Sequence, residues 1–201
     1  MTIQYSTTHR TNDLADIITQ LGTTAYLLLY TGSVPANCAA AATGTLLASL
    51  PCSNPFAPAP SSGVLTASAI TSATAAATGT GGYWRLCTNS AGTTCVAQGT
   101  LFGSSTLTTS ASTSANGNVL TFTSVTGVSV GQTVSGTGIP AGTTVVATSG
   151  TTVTLSQTST AGVASSATIT FGGDLTITGG VSFTSGQTVS VSSFVITATG
   201  A

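Results

Sequence analysis

Apolar and hydroxyl-bearing residues take turns along much of this chain. Leu120 and Phe122, Val153 and Leu155, and Ile169 and Phe171 each alternate with threonine or serine. A period of two sends successive side chains to opposite faces of an extended strand, so one face can be buried while the other is wetted by hydroxyls. Threonine and valine are stiff at χ1 and suit a pleated surface. This alternation restricts most of the chain to β structure.

Charge is nearly absent. The 201 residues hold Lys+Arg 2, Asp+Glu 3 and one histidine, for a formal net charge of −1. Charged residues make up 2% of the chain, against about 25% in ordinary domains. A freely diffusing monomer normally carries charge to stay dispersed, so a chain like this is expected to be covered by neighbours or made polar by hydroxyls alone. With Arg10 and Arg85 its only cations, it cannot neutralise a row of phosphates, and nucleic acid is not an expected partner. Nor is a membrane, despite a mean hydropathy of +0.47. The strongest apolar run, "AYLLLY" (25–30), is far shorter than the roughly 20 residues of a spanning helix. "MTIQYSTTHR" has no basic segment leading into an apolar one, so no secretory signal is expected.

One segment reads as helix, "THRTNDLADIITQLG". Leu14, Ile17, Ile18 and Leu21 fall at i, i+3, i+4 and i+7 and form one apolar stripe. Thr7, Thr8 and Thr11 are candidate N-caps, Asp13 and Asp16 are placed near the positive end of the helix dipole, and Gly22 supplies the stop. His9, Arg10, Asp13 and Asp16 gather most of the charge on this one piece.

Strands are expected in "TAYLLLY", "GTLLASL", "GVLTASAI" and the hairpin "GGYWRLCTNSAGTTCVAQGTLF". In the hairpin Tyr83, Arg85 and Cys87 share one face, with Trp84 and Leu86 on the other. Residues 51–63 hold four of the six prolines and read as an extended loop. Residues 103–118, small and polar with Asn116-Gly117, read as a linker. In the last strand Val189 and Val191 are in phase but Phe194 and Ile196 are not, which predicts a bulge near Ser192–Ser193.

Four cysteines, Cys38, Cys52, Cys87 and Cys95, allow three pairings. Cys87 and Cys95 flank the turn "TNSAGTT", where a cross-strand disulfide is geometrically reasonable. Buried free thiols are the plainer reading for a chain made without a signal. A single histidine and no C-x-x-C spacing give no expected metal site and no expected cofactor.

"YSTTHRTNDLADIITQLG", "YTGSVPANCAAAATGTLLASL", "GTGGYWRL", "TTCVAQGT" and "GGDLTITGGVSFTSGQTVSVSSFVITATGA" together resemble small virion proteins of tailed bacteriophages. That family's pattern is a Tyr-Ser-Thr opening helix, a Thr-Gly…Pro-Ala-Asn-Cys turn and a Ser-Gly-Gln-x-Val ending. Its usual hairpin runs almost directly into the closing strands. Here about 104–171 intervene, and that piece resembles β modules of phage fibre and surface proteins. Cys52 and Cys87 fall outside the family's pattern. The resemblance implies a mainly β fold: an antiparallel β-sandwich, jelly-roll-like, with one N-terminal helix and a small inserted β domain. The main domain would comprise 1–103 plus 172–201, and the inserted module 104–171.

Chemical motifs are weak. "GVSVG" (127–131) matches G-x-S-x-G, but a nucleophile elbow requires a strand–turn–helix and a downstream histidine, and His9 lies upstream. Asp13, Asp16 and Asp174 do not suggest a glycosidase pair, and "GTGG" (79–82) lacks the following helix of a nucleotide loop. A non-enzymatic role is expected. The resemblance implies a capsid decoration (cement) protein on the virion surface, made in the host cytoplasm, with the major capsid protein and copies of itself as partners, a homotrimer preferred over a dimer. His9, Arg10, Leu14, Ile17, Ile18 and Leu21 are the candidate subunit or capsid interface, with core packing the competing role for the stripe. The alternative is a fibre, spike or tail component that binds host glycans through Tyr26, Tyr30, Tyr83 and Trp84.

Overall fold

The computed structural model describes residues 5–173 and 175–198. Among these the chain is mainly β, with one N-terminal helix, several small antiparallel sheets and no barrel. It divides into two compact units, one of Met1–Leu101 with Asp174–Ala201, the other of Phe102–Gly173. Asp174 itself lies outside the described residues.

The first unit opens with α1 (Thr7–Leu21). Its N-cap is Ser6, whose hydroxyl accepts the His9 amide at 3.2 Å, rather than any of the threonines expected in that role. The helix therefore starts at Thr7, which puts Asp13 and Asp16 beyond its first turn and not at its positive end as expected. Gly22, at φ +62°, ends it and donates to the Ile18 carbonyl.

Strands β1 (Tyr26–Tyr30), β2 (Leu46–Pro51), β3 (Val64–Thr66), β4 (Ala73–Thr74), β5 (Gly79–Thr80), β6 (Tyr83–Cys87) and β7 (Cys95–Thr100) follow. The second unit contributes β8 (Ser105–Thr108), β9 (Val119–Thr121), β10 (Thr133–Ser135), β11 (Val145–Ser149), β12 (Thr152–Leu155) and β13 (Thr168–Gly172). The chain then returns to the first unit as β14 (Leu175–Ile177), β15 (Ser182–Phe183), β16 (Thr188–Val189) and β17 (Val191–Thr197).

The largest sheet of the first unit has the order β2-β1-β6-β7, and a second has the order β14-β17-β3. Two-stranded pieces β15-β5 and β16-β4 tie the returning segment to the earlier one. Leu27, Leu29, Leu47, Leu50, Trp84 and Leu86 from the first sheet share a core with Leu65, Leu175, Ile177 and Phe194 from the second. The two sheets thus pack face to face. Phe194 meets Trp84 and Phe56 edge to face, at centroid separations of 4.9 and 5.9 Å. Phe194 reaches that core through a bulge: Thr176 pairs with Ser193 and Ile177 with Val191, leaving Ser192 as the extra residue, where the broken alternation predicts it.

The second unit has its own core of Leu120, Phe122, Val134, Val145, Val153, Leu155, Val163, Ile169 and Phe171. Its sheets are β10-β13-β8 and β11-β12-β9. The expected linker is a correction: Ser105–Thr108 is strand β8, laddered to β13, and Thr109 and Thr113 bridge to Phe122 and Val163. Within this stretch Leu107 alone faces the core, too little apolar signal to stand out among threonines and serines.

Candidate functional site

The chemistry-bearing residues gather on the face of β2-β1-β6-β7 turned away from Trp84 and Leu86. Tyr83, Arg85 and Cys87 lie there as the period of β6 requires, opposite Tyr30, Leu28 and Tyr26 of β1. Tyr30 and Tyr83 stack with ring centroids 5.1 Å apart. This face is buried too, because residues 31–44, "TGSVPANCAAAATG", fold back over it.

Three side chains of the sheet hold that loop by its backbone carbonyls. Arg85 Nη2 donates to the carbonyl oxygens of Cys38 at 2.6 Å and Ala40 at 3.0 Å. Gln98 of β7 donates to Pro35 O at 2.7 Å, and Tyr83 both accepts from the Thr43 amide and donates to the Thr43 carbonyl. The loop starts so close to the sheet that a Cβ on Gly82 would collide with the carbonyl of Gly32, which explains why glycine stands there. An open cavity of about 320 Å³ remains, lined in part by Tyr30, Cys38, Arg85 and Gly92.

Arg85 is 2% exposed. No acidic side chain pairs with it among the described residues, and its Nε has no hydrogen-bond partner. A buried cation is costly unless it is paired. Arg85 has the thiols of Cys38, Cys87 and Cys95 as ionisable neighbours. Cys95 is held well below the ordinary thiol range, chiefly by the neighbouring Cys87 thiol and, against the opposing effect of burial, by Cys38 and the Arg85 charge. Cys87 moves the other way, through the neighbouring Cys95 first and through burial next. Cys38 is pushed up as well, by burial first and then by Cys95. The Arg85 guanidinium and the thiols of Cys38, Cys87 and Cys95 form a single electrostatic unit.

The Cys87–Cys95 disulfide considered from the turn is not formed. The two face each other across β6 and β7 at a register shift, and all four cysteines are free thiols. The sulfur of Cys95 instead lies 2.9 Å from that of Cys38, 57 residues away. Cys52 stands apart, raised to about 12 by burial.

The helix residues fall elsewhere. Leu14 and Leu21 are buried in the core of their own unit, and Ile17 and Ile18 pack against it half-exposed. Arg10 Nη1 donates to Ala198 O at 3.2 Å and Nη2 to Thr7 Oγ1, fastening the helix to the end of the described chain. His9 is exposed, stacked on Tyr5 at 4.6 Å and 3.6 Å from Asp13. Tyr30, Tyr83 and Trp84, named as glycan-contacting rings, are buried. "GVSVG" forms a turn that leads into strand β10.

No helix among the described residues is long and apolar enough to cross a membrane. Among them no group of three or more His, Cys, Asp or Glu is placed to hold a metal ion. Compared with known proteins, the chain matches no family model, no curated protein and no solved structure.

Proposed function

We propose that this chain is a structural virion protein that decorates a bacteriophage capsid and stabilises it through many non-covalent contacts, with the major capsid protein and copies of itself as partners. One observation carries the reading: Arg85 is the only charged residue in any described strand, and it is buried. Free strand edges in isolated proteins are usually guarded by lysine, other charges or proline against pairing with further chains. The edge strand β11 has four exposed residues, Val146–Ser149, and neither charge nor proline, only a bulge at Val146. A protein that works packed among identical copies does not need a charged guard. The resemblance of the opening helix, the Pro-Ala-Asn-Cys turn and the closing strands to small phage virion proteins points the same way.

The mechanism is thermodynamic. A protein that binds the mature shell better than the unassembled subunits stabilises the shell by mass action. Repetition over a symmetric lattice multiplies weak contacts through effective concentration. Cryo-electron microscopy of particles carrying this chain tests the reading. Copies distributed over the whole head support it. A few copies at one vertex, or on fibres, would replace it with the fibre or tail role.

A further inference from the structure

The thiol cluster carries an inference that does not depend on the decoration reading. We propose that Cys38 and Cys95 are a disulfide-forming pair, a covalent latch that closes the 31–44 loop onto the sheet when the protein meets an oxidising thiol–disulfide environment. The two sulfurs are 2.9 Å apart, roughly 0.9 Å longer than a disulfide bond. Cys95 sits on laddered strand β7, while Cys38 sits on a loop held by a few side-chain hydrogen bonds, so a small loop movement completes the approach.

Cys87 is the competing partner, and three features disfavour it. It is fully buried in β6, whereas Cys38 and Cys95 are half-exposed and Cys38 lines the open cavity. A Cys87–Cys95 bond would close only the turn 88–94, already joined by the β6–β7 ladder. A Cys38–Cys95 bond spans 57 residues, and a longer closed loop restricts the unfolded chain more. Arg85 connects the pair electrostatically: it donates to the Cys38 carbonyl and stabilises negative charge on Cys95. That favours Cys95 as the attacking thiolate.

The oxidant is an external low-molecular-weight disulfide. The Cys95 thiolate, its proton released to water, attacks one sulfur of that disulfide. One external thiolate leaves, and a mixed disulfide remains on Cys95. Cys38 then loses its proton and attacks the Cys95 sulfur, expelling the second external thiol. Two protein thiols are oxidised to one disulfide, and one external disulfide is reduced to two thiols.

The sequence makes the test direct. Trypsin cleaves after arginine, and with Arg10 and Arg85 alone it yields the short piece 1–10 and two long fragments, 11–85 and 86–201. Cys38 and Cys52 fall in 11–85, Cys87 and Cys95 in 86–201. The full chain is incubated with glutathione disulfide, its remaining thiols are alkylated, and it is unfolded and digested. A Cys38–Cys95 bond leaves the two fragments joined on a non-reducing gel, whereas a Cys87–Cys95 bond leaves them separate. The expected result is joined fragments in the wild type and in Cys87→Ser, and separate fragments in Cys38→Ser. Separate fragments in the wild type, or joining that persists in Cys38→Ser, would overturn the proposal. A second readout is thermal: oxidation should raise the Tm of wild type by about 10 °C and leave that of Cys38→Ser unmoved. An unchanged Tm in fully oxidised wild type would show that the bond, if made, does not latch the loop.

Discussion

Arg85 and Cys38 lie 47 residues apart in the chain, yet the guanidinium of one donates to the backbone carbonyl of the other at 2.6 Å, inside a buried face of the sheet. The same Nη2 reaches Ala40. One side chain thus fixes the middle of the 31–44 loop, and its removal leaves two carbonyls without that donor. Arg85→Met is expected to cost about 3 kcal/mol of unfolding free energy, since hydrogen bonds to a charged group contribute about 1.5–3 each and relief of the buried charge offsets part. Arg85→Lys should lose less, because an ammonium can still serve as a point donor. Urea unfolding measures the loss, and hydrogen exchange should show it concentrated in residues 31–44. Equal stability of Arg85→Met and wild type would refute the loop-fastening role.

Each unit has its own aromatic contact, Trp84–Phe194 in one and Phe122–Phe171 in the other. Phe194→Ala should therefore cost about 4 kcal/mol in the first unit, and Phe171→Ala a similar amount in the second. Hydrogen exchange is the discriminating measurement. Phe171→Ala is expected to accelerate exchange across 102–173 while Leu27–Leu29 keep their protection, and Phe194→Ala the reverse. Uniform loss of protection from either change would mean that the two cores unfold as one.

The thiols set a pH optimum. Cys95 is depressed in the folded protein, so between its folded value and the unfolded thiol value of about 8.5 the unfolded state binds the extra proton, and stability rises with pH. Above about 8.5 the order reverses, because Cys52 and Cys38 are each raised to about 12 and stay protonated when folded after their unfolded counterparts have ionised. Stability of the reduced protein should therefore peak near pH 8.5 and decline on both sides. Cys95→Ala should flatten the acid limb, and Cys52→Ala should reduce the slope of the alkaline limb. Chemical denaturation in reducing buffer from pH 5 to 10 checks both signs.

Much of this fold was legible because it rests on periodicity. The stripe Leu14, Ile17, Ile18, Leu21 located the helix, though it left interface and core packing open as its role, and Leu14 and Leu21 went to the core. The alternation in "YWRLC" correctly sorted Tyr83, Arg85 and Cys87 from Trp84 and Leu86. The phase change at Phe194 located the bulge. What escaped was set by backbone groups that every residue possesses. The loop 31–44 is held through the carbonyls of Pro35, Cys38, Ala40 and Thr43, so no side-chain pattern announces where it lands. The approach of Cys38 to Cys95 depends on that landing, whereas Cys87 and Cys95 stood out through nearness along the chain. Strand β8 escaped for a related reason, since a strand with one inward apolar residue resembles a polar linker. Ser6 was missed as the cap because three threonines just after it were equally suitable in type.

On the proposed decoration role, attachment to a capsid should be nearly indifferent to salt. The described ionic side chains of this protein are few: His9, Arg10, Asp13 and Asp16 on the helix, and Arg85 inside the sheet. Screening at 1 M ionic strength shortens the Debye length to about 3 Å and weakens exposed ion pairs, but it leaves backbone pairing and apolar contact largely intact. Particles washed in 1 M sodium chloride are expected to retain their full complement of the protein, measured by gel stoichiometry against the major capsid protein. Val146, the bulged residue of edge strand β11, is 47% exposed, and Val146→Lys would place a charge on an edge that carries none. That variant should fold normally and occupy particles at reduced copy number. Loss of the wild-type protein in moderate salt, together with undiminished occupancy by Val146→Lys, would leave edge pairing without a role and make ionic contacts through the helix the better account.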